Sequence, residues 1–174
     1  MGINPGTTTM EQAKLIISES NQINKQYTQV SEDHISIVWN IGKLKSYSSN
    51  VGIQLENGLV KSIDIGVGYY TINDFIKFLG KPDEICATKI TAADAIYYTY
   101  SVYYISSKIE IDVGIGSQKG PYPSDIADVI WLNSEFYPAS HPEWGITQPW
   151  LGYGHLNDYL PGVEILPTYV MPTP

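Results

Sequence analysis

Residues 51–65 read VGIQLENGLVKSIDI, and this stretch decides most of the fold. Apolar and polar or small residues alternate from Val51 to Leu55, which is the period of a strand with one apolar face. The pair Asn57-Gly58 follows, and tight two-residue hairpin turns prefer this pair. A second alternating run then reaches Ile65, so the sequence predicts a β-hairpin over residues 51–65.

The segment before this hairpin predicts a helix and one more strand. Thr8 is followed three residues later by Glu11, which is the spacing of a capping box, and apolar residues recur at helical spacing as far as Ile17. Residues 21–29 are polar and are expected to fray or to form a loop. Residues 35–41 then alternate as a strand does.

The same order recurs in the second half of the body. Thr71 and Asp74 repeat the cap, and Gly80-Lys81-Pro82 has the Gly and Pro that end a helix. Strand patterns follow over residues 96–105, 109–115 and 126–132. The sequence therefore predicts the α+β class, with two tandem α-β-β-β units at 6–65 and 68–132, one antiparallel sheet arrangement and both helices on one face.

This arrangement predicts which side chains form the core. The predicted core residues lie on the apolar sides of the helices and strands. They are Leu15, Ile16, Ile37, Trp39, Ile53, Leu55, Ile63, Phe75, Leu79, Tyr100, Val102, Ile109 and Ile111.

The composition changes after residue 135. Residues 136–174 are rich in proline, which prevents long regular elements, and they contain Trp144 and Trp150. Because large rings are seldom left in water, we predict two parts: a repeat body over 1–135 and an irregular arm over 136–174 that packs on it. Both Trp side chains should be at least half-buried, and one helical turn is expected at 155–160.

Charge and cysteine content limit the classes of function. The formal net charge is −8 and the chain contains no Arg, which argues against nucleic-acid binding. Cys86 is the only cysteine, so no internal disulfide can form, and we expect it to act as a small half-buried apolar residue. The sequence lacks a transmembrane segment, and we expect no cofactor.

Few residues suggest chemistry. The three histidines, His34, His141 and His155, match no common zinc spacing, so we predict no metal site. Glu110 and Asp112 lie two apart and therefore on one strand face, where paired carboxylates could act as general acid and base. A solvated strand also needs such charges, and we favour this interpretation. No catalytic residue is predicted.

The strongest functional signal is the sheet face opposite the helices. In the second half it carries aromatic anchors among short polar groups, as protein-recognition surfaces do. The alternative is that the arm folds across this face and buries it. The predicted binding residues are Tyr97, Tyr103, Glu110, Asp112 and Trp131.

Two stretches resemble a known module. GTTTMEQA at 6–13 with the Asn57-Gly58 hairpin, and residues 71–83 ending in LGKPD, resemble the helix-then-sheet unit of the BamE (SmpA/OmlA) family and of the β-lactamase inhibitory protein. The resemblance implies two tandem units whose sheets form one curved surface. Residues 2–8 and PWLGYG at 149–154 also resemble uncharacterised secreted bacterial lipoproteins. This resemblance implies an extracellular or cell-envelope location with an export signal removed, and it allows a lipid anchor upstream.

These observations predict a secreted or envelope-anchored, non-catalytic module that binds another protein of unknown identity. The alternative is a domain that binds a glycan or a small molecule on its aromatic sheet face. A hydrolase that uses the paired acids is a third, less favoured interpretation.

Overall fold

Strands dominate the computed structural model of this chain, which describes residues 2–40, 48–92, 95–113, 120–135, 146–154, 156–159 and 168–170. The described helices are α1 (Met10–Glu19), α2 (Ile72–Leu79) and the single turn α3 (Leu156–Tyr159). The described strands are β1 (Ile23–Val30), β2 (His34–Asn40), β3 (Ser48–Glu56), β4 (Leu59–Gly66), β5 (Glu84–Ala92), β6 (Ala95–Tyr104), β7 (Ile109–Val113), β8 (Ala127–Asn133), β9 (Ile146–Pro149) and β10 (Thr168–Val170).

The predicted α+β class with two tandem α-β-β-β units is wrong, because the chain is mostly antiparallel sheet with short helices. Residues 21–29 were expected to fray or to form a loop, but most of them belong to β1, which lies at the edge of the sheet next to β2. Most β1 side chains face solvent, so the strand carries no apolar alternation that a sequence reading could detect. In addition, β8 pairs with β4 and so joins the strands of the first predicted copy.

The described residues divide into two units, Met1–Val67 with Val129–Phe136, and Gly68–Asp128 with Tyr137–Pro174. In the first unit the antiparallel order is β1-β2-β3-β4-β8. In the second unit β6 lies between β7 and β5, and β5 also pairs with β9 and, in parallel, with β10.

The predicted hairpin at 51–65 is confirmed in the first unit. Asn57 and Gly58 have φ of 53° and 77°, as a turn with two left-handed central residues requires. The turn joins β3 to β4, and Ile53 pairs with Ile63 across the two strands. Both side chains are buried, so the hairpin presents its apolar side to the core.

Helix α1 begins one residue later than predicted. Thr9, not Thr8, is the N-cap, and it forms the capping box with Gln12. The hydroxyl of Thr8 instead accepts a hydrogen bond from the Asn4 N–H at 2.8 Å, and its side chain is buried. The buried residues of α1 are Ala13 and Ile17.

The core prediction fails at Leu15, which is 57% exposed. The predicted residues that are buried are Ile37, Ile53, Leu55, Ile63, Tyr100, Val102 and Ile111. Those that are only partly buried are Ile16, Trp39, Phe75, Leu79 and Ile109. Phe75 therefore does not have the fully buried ring that its place in the helical pattern suggested.

The local signals around α2 are confirmed. Thr71 and Asp74 form a capping box, and the side chain of Ile72 is fully buried. Gly80 ends the helix with φ of 88°, a left-handed conformation that favours glycine, and its N–H donates to the Ile76 carbonyl.

The described part of the arm contains a buried tryptophan, as predicted. Trp150 is 5% exposed, its backbone N–H donates to the Asp83 carbonyl at 3.0 Å, and its ring contacts those of Tyr153 and Tyr159. The expected helical turn is α3. Trp144 lies outside the described residues, and the division at residue 135 stays a prediction.

Two substitutions in α1 test the position of this helix. Ile17→Ala should lower the free energy of unfolding by about 2–4 kcal/mol, because it leaves a cavity in the core. Leu15→Ala should change it by less than about 0.5 kcal/mol, since this side chain is exposed. Chemical denaturation measures both, and a larger loss at Leu15 than at Ile17 would contradict the structure.

Candidate functional site

Three of the five predicted binding residues lie together in the second unit. Tyr103 on β6 pairs with Glu110 on β7, and Ser101 pairs with Asp112. Directly paired residues point to the same face of a sheet, so these side chains share one side. The Ser101 hydroxyl donates a 2.5 Å hydrogen bond to Asp112 Oδ1.

This face continues onto two more strands. Cys86 on β5 pairs with Ser101 on one side and with Thr147 of β9 on the other, and Glu84 pairs with Tyr103. We call the face the polar face and define it as Glu84, Cys86, Ser101, Tyr103, Glu110, Asp112 and Thr147. The opposite face carries the buried side chains Ile85, Tyr100, Val102, Ile111 and Val113.

The carboxyl group of Glu110 is the electrostatic centre of the polar face. Burial raises the pKa of Glu110 to about 7, and the charge of Asp112 adds to the increase. Hydrogen bonds with Tyr103 and Ser101 lower this pKa, whereas the hydrogen bond with Asp112 raises it further. A carboxyl group in this position changes charge near neutral pH.

Tyr103 and Cys86, which lie beside Glu110, remain protonated at that pH. Burial, followed by the charge of Glu110, raises the pKa of Tyr103 well above its usual value. Burial also raises the pKa of the Cys86 thiol, while a hydrogen bond with Thr147 lowers it. Cys86 is partly buried, as expected, and a protonated thiol is a poor nucleophile.

The other two predicted binding residues do not join this cluster. Trp131 lies in β8 within the first unit, where it pairs with Asp64 of β4. The Asp64 carboxylate in turn occupies the space above Gly52, where an added Cβ would lie only 2.3 Å from Oδ1. Tyr97 belongs to β6, but its side chain lies outside the described part of the chain.

In the described part of the arm, Thr147 lies on the polar face, whereas Trp150 packs on the opposite side. Ile146 and Gln148 of β9 pair with Ala87 and Ile85, so Trp150, two residues beyond Gln148, belongs to the apolar side. The sequence left open whether the arm buries the aromatic sheet face. The described arm residues instead dock along the edge of β5.

Sequence reasoning missed an exposed aromatic surface beside the N-terminus of α2. We call it the α2 surface and define it as Tyr69, Tyr70, Tyr122, Ile126 and Tyr153, which are 61%, 45%, 37%, 52% and 39% exposed. These residues come from three segments that are separate in sequence. Their only sequence signal was the pair Tyr69-Tyr70 directly before the cap.

Backbone and side-chain contacts hold these three segments together. Thr71 and Ile126 form a β-bridge, and the Tyr153 hydroxyl donates to Asn73 Oδ1 of α2 at 3.3 Å. The Gly154 N–H donates to the Pro121 carbonyl, which places the arm beside Tyr122. The α2 surface is therefore a positioned part of the fold.

Among the described residues, no group of three or more His, Cys, Asp or Glu side chains could hold a metal ion. Within the same residues, no helix has the length and apolar character that crossing a bilayer requires. His34 lies in β2, whereas His141 and the side chain of His155 lie outside the described residues.

Comparison with known protein families, curated proteins and solved structures finds no match to this chain. The resemblance to the BamE family and to the β-lactamase inhibitory protein therefore stays a prediction.

The raised pKa of Glu110 predicts how stability depends on pH. The pKa is 4.5 as an ordinary value and about 7 in the folded protein, so the folded state holds this proton more tightly than the unfolded state. The resulting stabilisation is fully present below pH 4.5 and is lost as the pH rises through about 7. Carbon-detected NMR should report a Glu110 midpoint near 7.

The substitution Glu110→Gln tests this linkage through stability. As the pH rises from 5 to 8, the stability of the variant relative to the wild type should increase by on the order of 2 kcal/mol in the free energy of unfolding. The reason is that the wild type must bury a charge at the higher pH, whereas Gln carries none. Glu32→Gln makes the same change of charge at an exposed position and serves as the control. If the difference in the free energy of unfolding between wild type and Glu110→Gln stayed constant across this pH range, the raised pKa of Glu110 would be contradicted.

Proposed function

We propose that this protein is a secreted or envelope-anchored, non-catalytic module that binds another protein through the α2 surface. The observation that supports this proposal is the exposure of Tyr69, Tyr70 and Ile126 on segments fixed to one another by hydrogen bonds. Large exposed aromatic side chains are favoured as binding hot spots, since they bury much area at small entropic cost.

The geometry of the acids argues against glycoside cleavage. Glu110 and Asp112 hydrogen-bond to each other, whereas glycosidases hold their two carboxyl groups about 5 Å or more apart, on either side of the scissile bond. Two carboxyl groups in mutual contact leave no room for a sugar ring between them. A glycosidase that uses these two acids is therefore not part of the proposal.

Paired substitutions test the α2 surface. Tyr69→Ser combined with Ile126→Ser removes two exposed apolar groups from this surface. Leu15→Ser combined with Tyr27→Ser removes a matched pair, each 57% exposed, from the first unit. Wild type and both variants are immobilised and exposed to the secreted and envelope fractions of the source cells. The proteins that each one retains are then quantified.

We expect at least one protein to be retained by the wild type and by the Leu15/Tyr27 variant. Its affinity, remeasured with purified protein, should fall by about tenfold or more in the Tyr69/Ile126 variant, because two hot-spot side chains are lost. Equal affinity for the two double variants would contradict the proposal. Thermal unfolding establishes that both variants remain folded.

The polar face favours a second candidate, the binding of a glycan or small molecule. The supporting observation is the array of a Tyr hydroxyl, a Ser hydroxyl and two carboxyl groups in mutual hydrogen-bonding contact. Such an array presents both donors and acceptors to a polyhydroxylated ligand. A glycan array tests whether the polar face binds a glycan. A glycan that still binds after Asp112→Asn and Tyr103→Phe would contradict binding at this face.

A further inference from the structure

A groove lies within the first unit between α1 and β1, and its volume is about 270 Å³. Its floor is apolar, since Ile17 and Ile35 line it and both belong to the core. Val30 adds an apolar wall and is 50% exposed. The groove therefore offers apolar surface that is open to a ligand.

An irregular pairing of β1 with β2 shapes the groove. Asn24 pairs with Val38 and Gln29 pairs with Ser36, so the four β1 residues 25–28 lie opposite a single residue of β2. Hydrogen bonds to Asn24 from the Gln26 N–H and the Thr28 hydroxyl hold this bulge. Because bulges redirect side chains, Lys25 and Thr28 line the groove.

The groove is basic on a protein that is acidic as a whole. Lys14 from α1 and Lys25 from the bulge both line it, and its described lining contains no carboxylate. Neither lysine forms an ion pair with another described residue. The formal net charge of the chain is −8, so two lysines at one apolar groove create a local charge opposite to that of the whole protein.

We propose that this groove binds a small aliphatic carboxylate, such as a short-chain or medium-chain fatty acid. The ammonium groups of Lys14 and Lys25 attract the carboxylate, and the aliphatic chain packs on Ile17, Val30 and Ile35. The volume of about 270 Å³ lies just below the range that is typical of ligand pockets, which suits a small ligand and not a segment of folded protein. The site is separate from the α2 surface and does not depend on its function.

Titration with octanoate, followed by the backbone amide signals in nitrogen–proton NMR spectra, tests this proposal. We expect saturable shifts of amides in α1 and β1 in the millimolar range or below. Octylamine, which has the same chain with a positive charge, should bind more weakly because the lysines repel it. Shifts at other surfaces, no saturation, or equal binding of octylamine would overturn the proposal.

Charge substitutions locate the site. The double variant Lys14→Gln with Lys25→Gln should bind octanoate roughly fivefold more weakly, as expected for two exposed ion pairs. Lys61→Gln removes the same type of charge elsewhere in the first unit, where Lys61 pairs with Glu56, and should leave the affinity unchanged. Val30→Thr makes the exposed wall polar and should also weaken binding. Unchanged affinity in the lysine double variant would contradict the proposed site.

Discussion

Cross-strand register is the constraint on which the rest of the structure depends. In the second unit, pairing of Val102 with Ile111 places the apolar side chains of β6 and β7 on one face. The same pairing necessarily places Tyr103 beside Glu110 on the other face, because side chains alternate with a period of two. A slip of one residue would bury the carboxyl groups and expose the core.

The hydrogen-bonded polar face follows directly from this register. Glu110 is brought into a partly buried environment where Tyr103 and Asp112 are its neighbours, and burial then raises its pKa. The chemistry of this face is therefore a consequence of strand pairing and needs no special loop. The same strands supply the core and the candidate site, so stability and site geometry are coupled.

The sequence could predict those features that depend on local signals. The Asn57-Gly58 turn and the Thr71–Asp74 cap each use residues whose conformational preference is strong enough to act alone. Sequence signals failed where tertiary contacts decide the outcome. Thr8 and Thr9 are equally good caps by type, and only the buried contact of Thr8 with Asn4 distinguishes them.

Other failures have related physical causes. The solvated strand β1 carries no apolar pattern, and the pairing of β8 with β4 joins segments more than sixty residues apart in sequence. Alternation correctly grouped Glu110 and Asp112 on one face, whereas no local signal could place Trp131 in the other unit. The α2 surface was missed because exposure of Ile126 and Tyr153 depends on contacts between segments that are distant in sequence.

The most direct test of this account is a set of long-range nuclear Overhauser effects in the intact chain. The register described above predicts contacts between backbone protons of Val102 and Ile111 in the second unit, and of Ile63 and Leu132 in the first. A contact pattern that places Val102 directly opposite Glu110 or Asp112, and not opposite Ile111, would show a slipped register. That result would contradict the placement of Glu110 and Asp112 on the polar face.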